Sequence, residues 1–464
     1  MTVAPKAGPL ARLAPLEPRR PIGAVLWLVA LGVLLLATSN VTDAQANDCI
    51  AALLPAWKLA WYGTAQLPEF VGKNIWVKEG PWGALSNRLP GTVLWGVPFY
   101  RLLGTPQAPT FFPAAIAAAT AVSLGLAALY CALLRLVPRR VALAAVTILA
   151  LGTGVWTTAA DALWSHGPNV LWLGLAIWAL SRDRWWLAGL ALGLGVMTRP
   201  HLAFAAAVIG IVIALSVRRL GPLVQIAATS AIGVFGLIVW NRLVWGQWAV
   251  LIGGYDSQAA SATANVQSSS LLFDRLAGTL FSPGRGLLVY SPFLLLLLPG
   301  LVAAWRVARP WVRACLLAGP AYMAVQLSVN GFSGGDGFTS YRLAIEMLVL
   351  ATPMLALCWS QWTSCRLWRR AAFAVLAWAA VTQHALGAFV GQDDHVIRNP
   401  WRSYPLTSRI AEATTFQWVA LGVTSLIAAV LLWKVARSAL ATTGPDTLGG
   451  CADSPRPSSP QSSS

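Results

Sequence analysis

The chain has 464 residues, of which 57% are hydrophobic and only 11% charged, with a mean hydropathy of +0.64 and a formal net charge of +17. A soluble domain carries about 25% charged residues, so these proportions exclude a water-soluble globule, and most of the apolar surface must meet lipid. The positive charge is read as a topological signal and not as a nucleic-acid footprint, for reasons that follow from its spacing.

In chain order, residues 1–20 form a basic cytoplasmic segment ending in Arg19 and Arg20. The hydrophobic stretch that follows is read as an uncleaved first span, because many spans come after it and it shows no clear small-residue cleavage site. Hydropathy predicts twelve spans: 21–38, 109–136, 141–158, 167–181, 185–198, 201–217, 221–245, 284–305, 312–330, 340–359, 371–390 and 416–436. The predicted fold is all-α: a polytopic transmembrane bundle over 21–436, followed by a disordered cytoplasmic tail over 437–464 that is rich in Ser, Pro and Gly. The six cysteines suggest no disulfide framework, since only Cys49 lies clearly outside.

Basic clusters recur at every second gap between spans: Arg135/Arg139/Arg140, Arg182/Arg184, Arg218/Arg219, Arg306/Arg309/Arg313, Arg366/Arg369/Arg370 and Lys434/Arg437. This is the positive-inside pattern. It puts both termini in the cytoplasm of an inner (plasma) membrane protein, with 20 of the 33 basic residues but only 4 of the 16 acids on that side.

Polar residues concentrate on the other side. The first outer loop, 39–108, is unusually long for a connection. It contains CIAALLPAWKLAWY and TVLWGVPFYRLLG, which are apolar, Trp-rich and too short to span. Both are predicted to be interfacial helices with Trp and Lys at headgroup level. Three further outer stretches carry SQAASATANVQSSS, NGFSGGDGFTSYR and GQDDHVIRNPWRSYPLTSR.

Among the outer acids, Asp43 and Asp48 stand out because they follow the first span directly, where a lipid-borne headgroup meets water. Glu346 lies one turn after Arg342, and an i,i+4 ion pair at the head of span ten is expected to face the bundle or a wet cavity. Arg88, Arg199 and Arg285 are able to neutralise a phosphate or to anchor at the interface. His166 sits at the outer end of span four, near Asp161. His201 and His384 rank lower. No HExxH, paired CxxC, Walker loop or βαβ GxGxxG is present, so zinc hydrolysis, ATP use and dinucleotide chemistry have no sequence support.

These residues resemble the C-type (GT-C) membrane glycosyltransferases, which use polyprenyl-phosphate sugars, and look closest to their bacterial, actinobacterial-style members. The resemblance rests on NDCIAALLPAWKLAWYG, RLPGTVLWGVPFY, ALWSHGP, MTRP, LFSPGRGLLVYSPF and GGDGFTSYRL, met in that order over residues 21–360. The first loop differs in having Cys49 after Asp48 where the family commonly pairs two acids side by side. The resemblance implies inverting transfer of a sugar from a polyprenyl-phosphate donor to a cell-envelope glycan, lipid or protein acceptor at the outer face. It implies Asp48 as general base, with Asp43 as its competitor. Arg88, His166, Arg285, Arg342, Glu346 and Asp161 are the expected substrate-binding residues. No cofactor is expected, with a divalent cation left open, and the partners are membrane lipids and no nucleic acid. Two other classes compete: a secondary transporter or lipid-linked precursor translocator, which would place ionisable groups near the midplane of two related halves, and a non-catalytic membrane scaffold.

Overall fold

A computed structural model describes residues 22–41, 46–252, 255–256, 262, 268–335, 337–390, 400–402, 404, 410–411 and 413–438. Asp43, most of SQAASATANVQSSS, much of the last outer segment, the N-terminal segment and nearly all of the tail lie outside these residues. The chain is mostly helical, and among the described residues six helices are long and apolar enough to cross a membrane, which makes it a multi-pass membrane protein. The long helices are α4 (Phe111–Leu133), α9 (Gly221–Trp245), α13 (Pro310–Val329), α14 (Ile345–Gln361), α15 (Leu367–Phe389) and α16 (Thr415–Ser438). Apolar but shorter helices are α1 (Ile22–Ala37), α5 (Arg139–Leu151), α6 (His166–Leu180), α7 (Trp185–Thr198) and α8 (Leu202–Val217), and a further short helix, α10 (Ser269–Phe281), follows α9.

The expected count of twelve is therefore not carried by helix length, and three of the expected spans are interrupted. The third, expected over 141–158, leaves the α-helix at Leu151 and closes in a π-turn, Val155–Ala159. The eighth, expected over 284–305, breaks into short helical pieces, including α11 (Leu287–Tyr290) and α12 (Leu301–Val307), because Pro292 and Pro299 supply no N–H to a continuous ladder. The tenth, expected over 340–359, begins only at Ile345, after Ser340 has turned the chain with φ +68°. All three interruptions meet. Ser291 donates to the Gly152 carbonyl and shares a hydrogen bond with the Tyr341 hydroxyl, and a Cβ at Gly154 would collide with the Tyr341 carbonyl.

Both expected helices of the first loop are present, as α2 (Asn47–Tyr62) and α3 (Pro90–Leu103). Asp48 sits in the first turn of α2, where a carboxylate complements the helix dipole. The helix stops at Gly63, whose φ of +67° lets its N–H cap the Leu59 carbonyl. α3 starts on Pro90, which needs no N–H partner there. Between them lies a hairpin that hydropathy does not reveal, β1 (Val77–Gly80) antiparallel to β2 (Gly83–Ser86), followed within a few residues by Arg88. α2 buries Ala51 to Trp57 against α3 and the bundle, with Gly96 admitting Ala56 and Leu163.

One large hydrophobic core joins α1, α4 to α8 and α13 to α15. Small residues let helices approach closely: Gly233 meets the backbone of Gly193. The bundle has two unlike ends. α1 starts near Arg139 and ends where the Asn40 N–H bonds Asp161, so basic clusters and acidic loops lie at opposite ends of one helix. Among the described cysteines, Cys49, Cys131, Cys315 and Cys358 are free.

Candidate functional site

A cavity of about 400 Å³ lies where α2, the hairpin and α3 cover the bundle. Asp48 faces it from the first turn of α2, with its side chain 19% exposed. The Arg342 Nη1 donates to Asp48 Oδ2 at 2.9 Å, and Arg88 Nη1 lies 3.4 Å from Oδ1. Burial pushes the Asp48 carboxyl up, but the two guanidinium groups and the Trp76 side chain outweigh it and hold the group below its ordinary value.

Each arginine is held in place. Arg88 donates from Nε to Asn87 and lies over the Trp76 ring at 4.7 Å. Trp76 is set by an Asx-type bond from its own N–H to Asn74 Oδ1. The Ser86 hydroxyl bonds the Ala51 carbonyl, which ties the hairpin to α2. Arg342 lies over Trp164 at 4.6 Å and over Phe338 at 5.2 Å.

The expected Arg342–Glu346 pair does not form. Because the helix starts at Ile345, Arg342 is in the preceding turn and turns to Asp48, 294 residues away in sequence. Glu346 instead lies beneath the cavity, fully buried, with Oε1 2.9 Å from His166 Nδ1 and 3.2 Å from Asn169 Nδ2. Arg199 stands between this buried group and the cavity. Its Nη1 lies 2.8 Å from His166 Nε2 and its Nη2 donates to Gln326 Oε1 at 2.8 Å. The same Nη1 lies 3.1 Å from His166 Nδ1, so the guanidinium stands against the imidazole ring; the Glu346 carboxylate only accepts, which puts the imidazole proton on Nδ1. His166 and Glu346 thus lie together, but neither lines the cavity as substrate-binding residues would; they hold Arg199 in place.

Arg285 is also not at the cavity surface. It is 1% exposed and donates to the carbonyls of Ser333 (3.1 Å), Gly335 (3.0 Å), Phe338 (2.7 Å) and Ser340 (3.1 Å). A single guanidinium thereby shapes the loop from Asn330 that walls the cavity and delivers Arg342. Asp161 is 5% exposed, accepts the Asn40 N–H and is not part of the cavity lining.

Arg199, weighed above as one of several phosphate-neutralising arginines, lines the cavity, as do Thr92, His201, Tyr255 and Gln326. Gln326 carries a legible signal, as the lone amide in the apolar helix Pro310–Val329. Thr92 and Tyr255 carry none, since both are ordinary loop or interface residues by sequence. Among the described residues no group of three or more His, Cys, Asp or Glu side chains is placed to hold a metal ion.

No known protein family profile matches the chain, and no curated protein matches it in sequence. Among solved structures it is similar to ArnT from Cupriavidus metallidurans bound to undecaprenyl phosphate (14% identity, 90% of this chain and 78% of that one, TM-score 0.46). It is also similar to the same protein in the apo state (17% identity, 90% and 74%, TM-score 0.47). A third is the Archaeoglobus fulgidus oligosaccharyltransferase tethered with an acceptor peptide (14% identity, 89% of this chain, TM-score 0.43), of which the chain spans 55% of the length. At these identities and scores the likeness carries no argument for what the chain does.

Proposed function

We propose that the chain is an inverting membrane glycosyltransferase that moves a sugar from a polyprenyl-phosphate donor to a cell-envelope glycan, lipid or protein acceptor at the outer face of the plasma membrane, with both termini cytoplasmic. The observation that carries this reading is one carboxylate, Asp48, set between two guanidinium groups in a cavity at the end of the bundle away from the Arg139 end of α1. The acceptor hydroxyl oxygen attacks the anomeric carbon as the bond from that carbon to the phosphate oxygen breaks. The bonding pair leaves with the polyprenyl phosphate, and the hydroxyl proton passes to Asp48. Arg88 and Arg342 stabilise the charge that accumulates on the departing phosphate. While bound to both arginines Asp48 is a weak base. The donor's phosphate competes for the same guanidinium groups and so raises the basicity of Asp48 as the reactants assemble. The leaving group is already an activated phosphate ester, and no cofactor is invoked; parallel assays with magnesium and with a chelator test this.

The deciding experiment is transfer from a labelled polyprenyl-phosphate sugar in proteoliposomes, comparing Asp48→Asn and Asp43→Asn with the unaltered protein. Asp48→Asn keeps the shape but cannot take the proton, so turnover is expected to fall about 10²–10⁴-fold with folding intact. Loss in Asp43→Asn alone moves the base to Asp43, and full activity in both removes the general base from this loop.

A further inference from the structure

The cavity is chemically divided. At one side stand the charged groups Asp48, Arg88 and Arg342. A second part of the wall is built where α7 gives way to α8, against the start of α3 and the C-terminal half of α13. Gly91 lets α3 touch Thr198, which is followed by Arg199, Pro200 and His201, and Arg199 reaches Gln326. Three groups lining this wall carry polar atoms that are buried and make no hydrogen bond: Thr92 Oγ1, His201 Nδ1 and Gln326 Nε2. Thr92 is 3% exposed and Gln326 fully buried. The amide orientation of Gln326 is fixed chemically. Arg199 only donates, so the Gln326 oxygen must face it, and the NH₂ is the end left without a partner beside the cavity. A buried polar atom without a partner costs about 1–3 kcal/mol, and three such atoms on one cavity wall mark a surface shaped for a hydrogen-bonding ligand.

We infer that Thr92, His201 and Gln326, with Arg199 behind them, form the subsite for the sugar of the donor, and that this sugar is an uncharged polyol and not an amino sugar. The inference rests on the donor reading above and names the substrate class that reading leaves open. A hydroxyl both donates and accepts, so a polyol satisfies the Gln326 N–H groups, the Thr92 hydroxyl and the His201 nitrogen together. An ammonium only donates. It would set N–H against the Gln326 N–H and a positive charge beside Arg199. The carboxylate nearest this wall, Glu346, is fully buried and already faces His166, Asn169 and Arg199. Among the described residues in and beneath the cavity, Arg88, Arg199 and Arg342 stand with Asp48 and Glu346, and each of these two carboxylates already pairs with an arginine.

The test is direct binding to purified protein in nanodiscs of three lipids: polyprenyl phosphate, polyprenyl-phosphate hexose and polyprenyl-phosphate amino-hexose. The hexose lipid is expected to bind most tightly. Thr92→Val keeps the side-chain shape and removes the hydroxyl, and it is expected to weaken the hexose lipid about 10-fold while leaving the sugar-free lipid unchanged. Gln326→Glu turns the unpartnered donor into an acceptor and is expected to erase or reverse the preference for hexose over amino-hexose. A preference of the unaltered protein for the amino-hexose lipid overturns the inference. So does Thr92→Val acting equally on all three lipids, or on none, and in those cases the donor reading stands. Failure of all three lipids to bind overturns the donor reading, and this inference with it.

Discussion

Glu346 is the residue on which most of the buried charge depends. It is fully buried and is the anionic partner of Arg199, whose guanidinium lies 3.8 Å away, and of His166 at 2.9 Å. Removing one member of a buried ion pair costs about 3–5 kcal/mol, because the other charge is left without compensation. Glu346→Ala is therefore expected to lower the thermal unfolding temperature strongly in detergent. Glu346→Gln, which keeps the hydrogen bonds to His166 and Asn169, should lower it less. Equal melting of the two variants would show that the charge, and not the packing or the hydrogen bonds that glutamine keeps, carries the contribution of this group. At this scale the sequence was legible in part. His166, Arg342 and Glu346 are conspicuous because charge and imidazole are rare near the ends of apolar spans. Their pairing was not legible, since the partners lie about 180 and 294 residues apart. Spacing of four residues suggested Arg342 with Glu346, and only the late start of the helix at Ile345 separates them.

Among the elements, the loop from Asn330 to Arg342 is the least self-sufficient. Gly334, Gly335, Gly337 and Ser340 all take positive φ, and Ser340 does so with a side chain, in a region that disfavours most residues. What fixes this conformation is Arg285, through four backbone carbonyls. Lysine keeps the charge but lacks the planar fork. Arg285→Lys is thus expected to increase proteolysis within 331–337 and to lower transfer about 10-fold by misplacing Arg342, a loss of about 1.4 kcal/mol in transition-state stabilisation. Unchanged proteolysis with unchanged transfer would remove Arg285 from the positioning of this loop. Sequence reasoning located both loop helices, because Trp-rich apolar runs of this length have few other uses. It missed the hairpin Val77–Ser86, whose strands are four residues each and carry no apolar alternation long enough to register.

For the molecule as a whole, sidedness decides whether the proposed chemistry has access to its substrates. The Arg139 end of α1 and the cavity lie at opposite ends of the bundle, and in the proposed orientation the cavity opens at the outer face. An alkaline phosphatase reporter fused after Gly80 is expected to be active, and one fused after Arg140 inactive. The reverse pattern would sink the orientation and the proposed reaction together. Hydropathy conveyed the helical class and the polarity of the bundle, because both are written in composition. It did not reveal the interruptions inside three expected spans, because a window average does not see that Gly152, Pro292 and Ser340 break the backbone where three segments converge. Those breaks frame the charged end of the bundle, so the errors in the span boundaries fall where the chain departs from regular helix to build its cavity.

The bond between Arg342 and Asp48 also has a consequence in time. Its two ends are separated by 294 residues. At about 5–20 residues per second of synthesis, roughly 15–60 s pass between the appearance of the first and the second. During that interval the growing chain already threads its early helices into the bilayer, yet Asp48 has Arg88 beside it and not Arg342. The nascent protein therefore enters the membrane with its cavity one wall short, and it acquires both guanidinium groups only when about three quarters of the chain has left the ribosome. Any truncation upstream of Arg342 removes the partner of Asp48, so the proposed centre is assembled only after Arg342 has been made.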